Sequence, residues 1–162
     1  MRALGALFLM ACLQASAGFA QAAPEPVPAP SWQVVGDPDL IGRLMAERGM
    51  PVTKGTDIQG LPMLESRVDD MLFNVYFYDC TPLCRRMQFV TSFRLTQPMT
   101  ADDANDWNRD NPFGKVVIAE SGDPYIEMDI GVAADGLGRK NFDDALETWR
   151  DVLGEFRASL TQ

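Results

Sequence analysis

The sequence predicts an α+β domain in which an antiparallel sheet of about five strands carries helices on one face, and three observations predict it. First, the hydrophobic period along the chain changes in the order helix, three strands, helix, two strands, helix, written αβββαββα. Second, residues 71–78 are dense in β-branched and aromatic side chains, residues 86–94 alternate apolar with polar, and the short loop between them makes the pair a hairpin. Third, Phe142, Ala145, Leu146, Trp149, Val152, Leu153, Phe156 and Leu160 recur by threes and fours, the stripe of one long helix lying on a core.

The chain of 162 residues begins with Met1-Arg2 and an apolar run through Leu13. One positive charge, a run too short for the roughly 20 residues of a bilayer span, and small residues in Ala20-Gln21-Ala22 read as a cleavable export signal, residues 1–22. An uncleaved anchor or a lipoprotein acylated at Cys12 would leave the good cleavage site unused. Residues 23–36 follow as a leader, in which Ala23-Pro24-Glu25-Pro26-Val27-Pro28-Ala29-Pro30 has proline at every second position and can join neither a helix nor a ladder. The domain is expected over 37–162, in a periplasmic or secreted bacterial protein that does not insert into a membrane after cleavage.

Asp37-Pro38 supplies an N-cap and a first-turn proline for a helix over 38–48, which Gly49 and Pro51 end. A short strand near 51–54, the turn-rich Asp57-Ile58-Gln59-Gly60-Leu61-Pro62, and a longer strand near 63–68 come next; Asp69-Asp70 then reverses the chain. In the hairpin, alternation places Phe73, Val75 and Phe77 with Met87, Phe89 and Phe93 on the core side. Thr100 with Asp103 starts a second helix over 101–110, which stops at Asn111-Pro112. Strands over 113–119 and 125–132 flank the turn Glu120-Ser121-Gly122-Asp123-Pro124, and the long helix closes the domain.

With Cys12 gone, Cys80 and Cys84 are the remaining thiols. In an oxidising compartment a pair so close is expected to be a disulfide that pins the hairpin turn, worth about 2 kcal/mol by loop closure. Two thiols without histidine do not make a structural zinc site, and the three-residue spacing is not that of the usual redox pair.

Composition excludes more than it assigns. There is no histidine, hence no Ser-His-Asp triad, no Cys-His pair and no imidazole-bound metal. The formal charge of −9 argues against nucleic acid and anionic membranes as partners. Asp102, Asp103, Asp106 and Asp110 read as a solvated helix face rather than a catalytic pair. Asp106 to Asn111 opens like a calcium loop but lacks its glycine and its final glutamate, and Gly136-Leu137-Gly138 lacks what a phosphate loop needs after it. No cofactor or metal is expected. The sheet face turned away from the helices would show Asn74, Tyr76, Tyr78, Gln88, Val90, Ser92, Glu127 and Asp129. That mixture of tyrosines and polar groups suits docking of a peptide or protein, with Tyr76, Tyr78, Gln88 and Val90 as the contact residues.

The order of Cys80 and Cys84 in a hairpin, Gln88-Phe89, Asn105-Asp106-Trp107-Asn108 and then Phe113-Gly114-Lys115 resembles the YbjN-type family of bacterial proteins, labelled sensory transduction regulators. The resemblance covers about 37–160 and implies a fold like the class I type III secretion chaperones, small α+β proteins that often form homodimers and bind segments of other proteins. It makes Asn105, Trp107, Asn108, Phe113 and Gly114 structural residues that hold a helix against the sheet. The function expected is a non-enzymatic binding module, chaperone-like or regulatory; the alternative is a small carboxylate-dependent hydrolase of the cell envelope.

Overall fold

The computed structural model describes residues 33–133 and 135–160, so the predicted signal and Ala23 to Pro30 lie outside the described residues. The elements are β1 (Gln33–Val34), α1 (Pro38–Glu47), β2 (Val52–Thr56), β3 (Pro62–Val68), β4 (Met71–Tyr78), β5 (Arg86–Ser92), α2 (Ala101–Asp110), β6 (Lys115–Ile118), β7 (Pro124–Gly131), β8 (Leu137–Gly138) and α3 (Arg139–Ser159). Strands β2, β3, β4, β5, β7 and β6, in that spatial order, form one sheet in which every neighbour is antiparallel. The class is therefore α+β with an antiparallel sheet, as the periodicity predicts.

The strand count and order αβββαββα require correction. The sheet has six strands rather than about five, and four of them, not three, run between α1 and α2. The order omits the short strand expected near 51–54, which the structure shows as β2, an edge segment with Val52 half-buried and the rest exposed that pairs with β3 along its whole length. A separate two-stranded ribbon, β1 with β8, was not anticipated, because two residues cannot display a period.

Alternation builds the core. Phe73, Val75 and Phe77 of β4, Met87 and Phe89 of β5, and Ile126 and Met128 of β7 are buried under α1 and α3. Trp149 of α3 is fully buried, its ring 5.7 Å from those of both Phe73 and Phe89. Phe156 sits 5.1 Å from Phe93 and 4.9 Å from Trp107, closing the other end. Each fully buried side chain among these contributes roughly 1.5–3 kcal/mol by leaving water. The two-residue β3–β4 turn has positive φ at both Asp69 (47°) and Asp70 (65°), the conformation whose twist matches paired strands.

The last residues of the stretch read as leader are tied to the domain. Val34 is buried and its strand faces β8, while Gly36 bridges to Cys84, whose N–H donates to the Gly36 carbonyl at 2.8 Å. A Cβ on Gly36 would fall 1.9 Å from the Cys84 carbonyl oxygen, so only glycine allows this approach. Cys80 and Cys84 are joined as a disulfide at the β4–β5 turn, in agreement with the sequence.

Candidate functional site

Because β4, β5 and β7 bury one parity of side chains under the helices, the other parity forms an open face. Strand register sets it out in rows: Met63, Tyr76, Gln88 and Asp129 lie side by side, and next to them Glu65, Asn74, Val90 and Glu127. A further row runs from Ser92 through Tyr125 to Val117, and Arg67 with Leu72 lies on the same face across β3 and β4. All four residues expected to contact a partner, Tyr76, Tyr78, Gln88 and Val90, line one groove of about 940 Å³ on this face.

The β2–β3 hairpin loop forms one wall of that groove. Asp57 Oδ1 accepts from the N–H groups of Gln59 (2.9 Å) and Leu61 (2.8 Å), and Gly60 takes φ 81°, so the loop is locked by its own hydrogen bonds. That lock holds Ile58 out in water at 97% exposure. Of the eight large hydrophobic side chains exposed among the described residues, six (Ile58, Leu61, Leu72, Tyr78, Val117 and Tyr125) lie on this face or its rim, so the exposure is concentrated, not scattered. Sequence reasoning missed Ile58, Leu61 and Tyr125. Tyr125 was within reach, since it shares parity with Glu127 and Asp129; an isoleucine in a polar turn gives no periodic signal.

Polar groups on the floor are connected. Tyr78 Oη donates to Gln88 Oε1 at 3.2 Å; Gln88 Nε2 donates to Asp129 Oδ1 at 2.9 Å and reaches Glu127 Oε2 at 3.4 Å. Asn74 Nδ2 donates to Tyr76 Oη at 3.2 Å. Lys115 Nζ stands 3.5 Å from Glu127 and 3.7 Å from Asp129. Partial burial, with the negative potential of Glu127 next in importance, pushes the Tyr78 phenol above its ordinary value, so it stays a neutral donor. At the end of β4, Asp79 pairs with Arg86, which holds its carboxyl below the usual aspartate range.

The residues carried by the family pattern lie elsewhere, around α2. This helix flanks the free edge of β6: Asn108 Nδ2 donates to the Val116 carbonyl at 3.0 Å and Asn108 Oδ1 accepts from the Val116 N–H at 2.7 Å. One side chain thus occupies both backbone groups that an added strand would use. Trp107 Nε1 donates to the Gly114 carbonyl at 2.8 Å, and a Cβ on buried Gly114 would fall 2.3 Å from Val152 Cγ1. Asn105 is exposed and takes no part in these bonds, and Phe113 is 67% exposed. The aspartates of α2 are engaged locally: Thr100 and Asp103 form a capping box, and Arg109 pairs with Asp106 and Asp110. Among the described residues no group of three or more Cys, Asp or Glu is arranged to hold a metal ion, and no helix is long and apolar enough to cross a membrane.

Fold and site together define a small α+β domain with one helix-covered sheet face and one open, tyrosine-bearing face. A family model, YbjN, described as "Putative bacterial sensory transduction regulator", matches residues 37–162. The chain belongs to the YbjN family. No curated protein and no solved structure matches it.

Proposed function

We propose that the protein is an exported, non-catalytic binding module that docks a segment of another protein on the open sheet face, in a chaperone-like or regulatory role. The observation that carries this reading is the concentration of exposed apolar side chains on one face, gathered around a groove whose polar floor is already hydrogen-bonded. Tyrosine suits such a surface because it offers a large ring at little entropic cost and a polar tip that tolerates water when unoccupied. The chaperone-like architecture implied by the family resemblance supports the same function, and the Cys80–Cys84 disulfide supports an oxidising, periplasmic or secreted location. The carboxylate-hydrolase alternative lacks a specific observation in its favour.

A photo-crosslinking residue placed at Val90 tests this, with a second placed at exposed Asp151 on α3 as control. In intact cells the Val90 position is expected to trap a defined protein species that the Asp151 position does not, and Tyr76→Ala with Tyr78→Ala is expected to abolish that product. The same adducts from both positions would refute the open face as the docking surface.

A further inference from the structure

We propose that the groove receives an extended peptide segment in which lysine or arginine alternates with apolar residues. This deepens the docking role proposed above and rests on it. The groove lining includes the carboxylates of Asp57 and Glu127 and no basic side chain, and Asp129 adjoins it along β7. Lys115 pairs with Glu127 and Asp129 at 3.5 and 3.7 Å, one cation against two carboxylates, so the local charge stays negative within a chain already at −9.

Geometry selects an extended ligand. Glu127 and Asp129 are two residues apart on one strand, so their side chains emerge on the same face roughly 6.8 Å apart. An extended peptide repeats its same-side residues at that pitch. Gln88 bonds both carboxylates and Tyr78, which fixes the acidic pair before any ligand arrives. The rings of Tyr76 and Tyr78 beside them can take a cation over their faces, while Ile58 and Leu61, on the loop wall, offer apolar contact to the intervening residues, which point away from the floor. Strands β4 and β7 are eight residues long, which sets the length of segment the face can accept. A second copy of the chain is a poorer occupant, because face-to-face docking would set Asp57, Glu127 and Asp129 against their equivalents.

The test uses the purified chain and three eight-residue peptides that alternate leucine with lysine, serine or glutamate. Fluorescence anisotropy at moderate salt is expected to rank them lysine over serine over glutamate, with lysine about fivefold tighter than serine. Glu127→Gln with Asp129→Asn should reduce that preference to under twofold. Asp151→Asn with Glu155→Gln, an equal charge change at exposed sites on α3, should leave it intact. Lys115→Gln should tighten lysine-peptide binding about twofold. Ile58→Ser, at a fully exposed position that cannot unfold the core, should weaken all three peptides, as should Tyr76→Ala. If lysine and serine peptides bind alike while Ile58→Ser weakens both, the cationic ligand is refuted and the docking face stands. Equal losses from the α3 control pair also refute it. If no peptide binds, or Ile58→Ser and Tyr76→Ala change nothing, the docking face itself is refuted and this inference goes with it.

Discussion

Asn108 shows how one side chain can settle the fate of a sheet edge. Its amide presents a donor and an acceptor to Val116 at 3.0 and 2.7 Å, copying the two bonds that a neighbouring strand would make. Asn108→Ala removes both, so a loss of about 1–2 kcal/mol is expected in urea unfolding, with Asn108→Asp recovering part of it because a carboxylate can still accept from the Val116 N–H. A midpoint unchanged by Asn108→Ala would contradict this role. Titration adds a second prediction. Asp39, Asp79 and Asp103 are held below the usual aspartate value by Lys54, Arg86 and Thr100 respectively, so their contribution is present above about pH 3.9 and lost as pH falls further. Tyr78 works in the other direction: its raised value means the unfolded chain loses that proton first, so stability falls as pH climbs past about 10. Melting temperature measured from pH 3 to 11 should decline at both ends, and Tyr78→Phe should flatten the alkaline decline.

Among the elements, the ribbon of β1 and β8 and the Gly36–Cys84 bridge were the least legible in the sequence. Strands of two residues carry no period, and Gln33 to Gly36 follow a proline run that can join neither a helix nor a ladder. By contrast, α2 was bounded by its capping box and by Asn111-Pro112, and α3 by its stripe, because both signals are local. Strand β2 lies where a short strand is expected near 51–54 but runs on to Thr56, since an edge that buries only Val52 leaves its far end unmarked. The strap formed by 33–36 yields its own prediction. In Gly36→Ala the new methyl would meet backbone rather than a flexible side chain, so the bridge must open. Hydrogen exchange at the Cys84 amide, which donates to Gly36, is expected to accelerate at least tenfold while amides of β4 and β5 hold their protection. Unchanged protection at Cys84 would mean that the strap tolerates the methyl.

Over the whole molecule, the candidate site was legible in part. Parity along β4 and β5 gave Tyr76, Tyr78, Gln88 and Val90, since an alternating strand states its two faces openly. The wall built from Ile58 and Leu61 depends on how an Asx-locked loop folds over the neighbouring strands, which no single segment encodes. Charge complements this division: the basic groups near the face are Lys115 at its border, Arg86, which pairs with Asp79, and Arg67 opposite Leu72 in the outer row, so the rows holding Glu65, Glu127 and Asp129 are left acidic. An anionic chain with this surface should lose affinity for a cationic ligand as salt rises, which the peptide titration can record directly.

The pairing of β1 with β8 also has a consequence for how the protein is made. A ribosome releases residues 33–36 long before 137–138, and the Trp149 and Phe156 that close the core come later still. Until its last few dozen residues emerge, the nascent polypeptide holds strands with nothing to cover them. Completion of the core must therefore wait for nearly complete synthesis, and the growing chain carries bare strand faces until then.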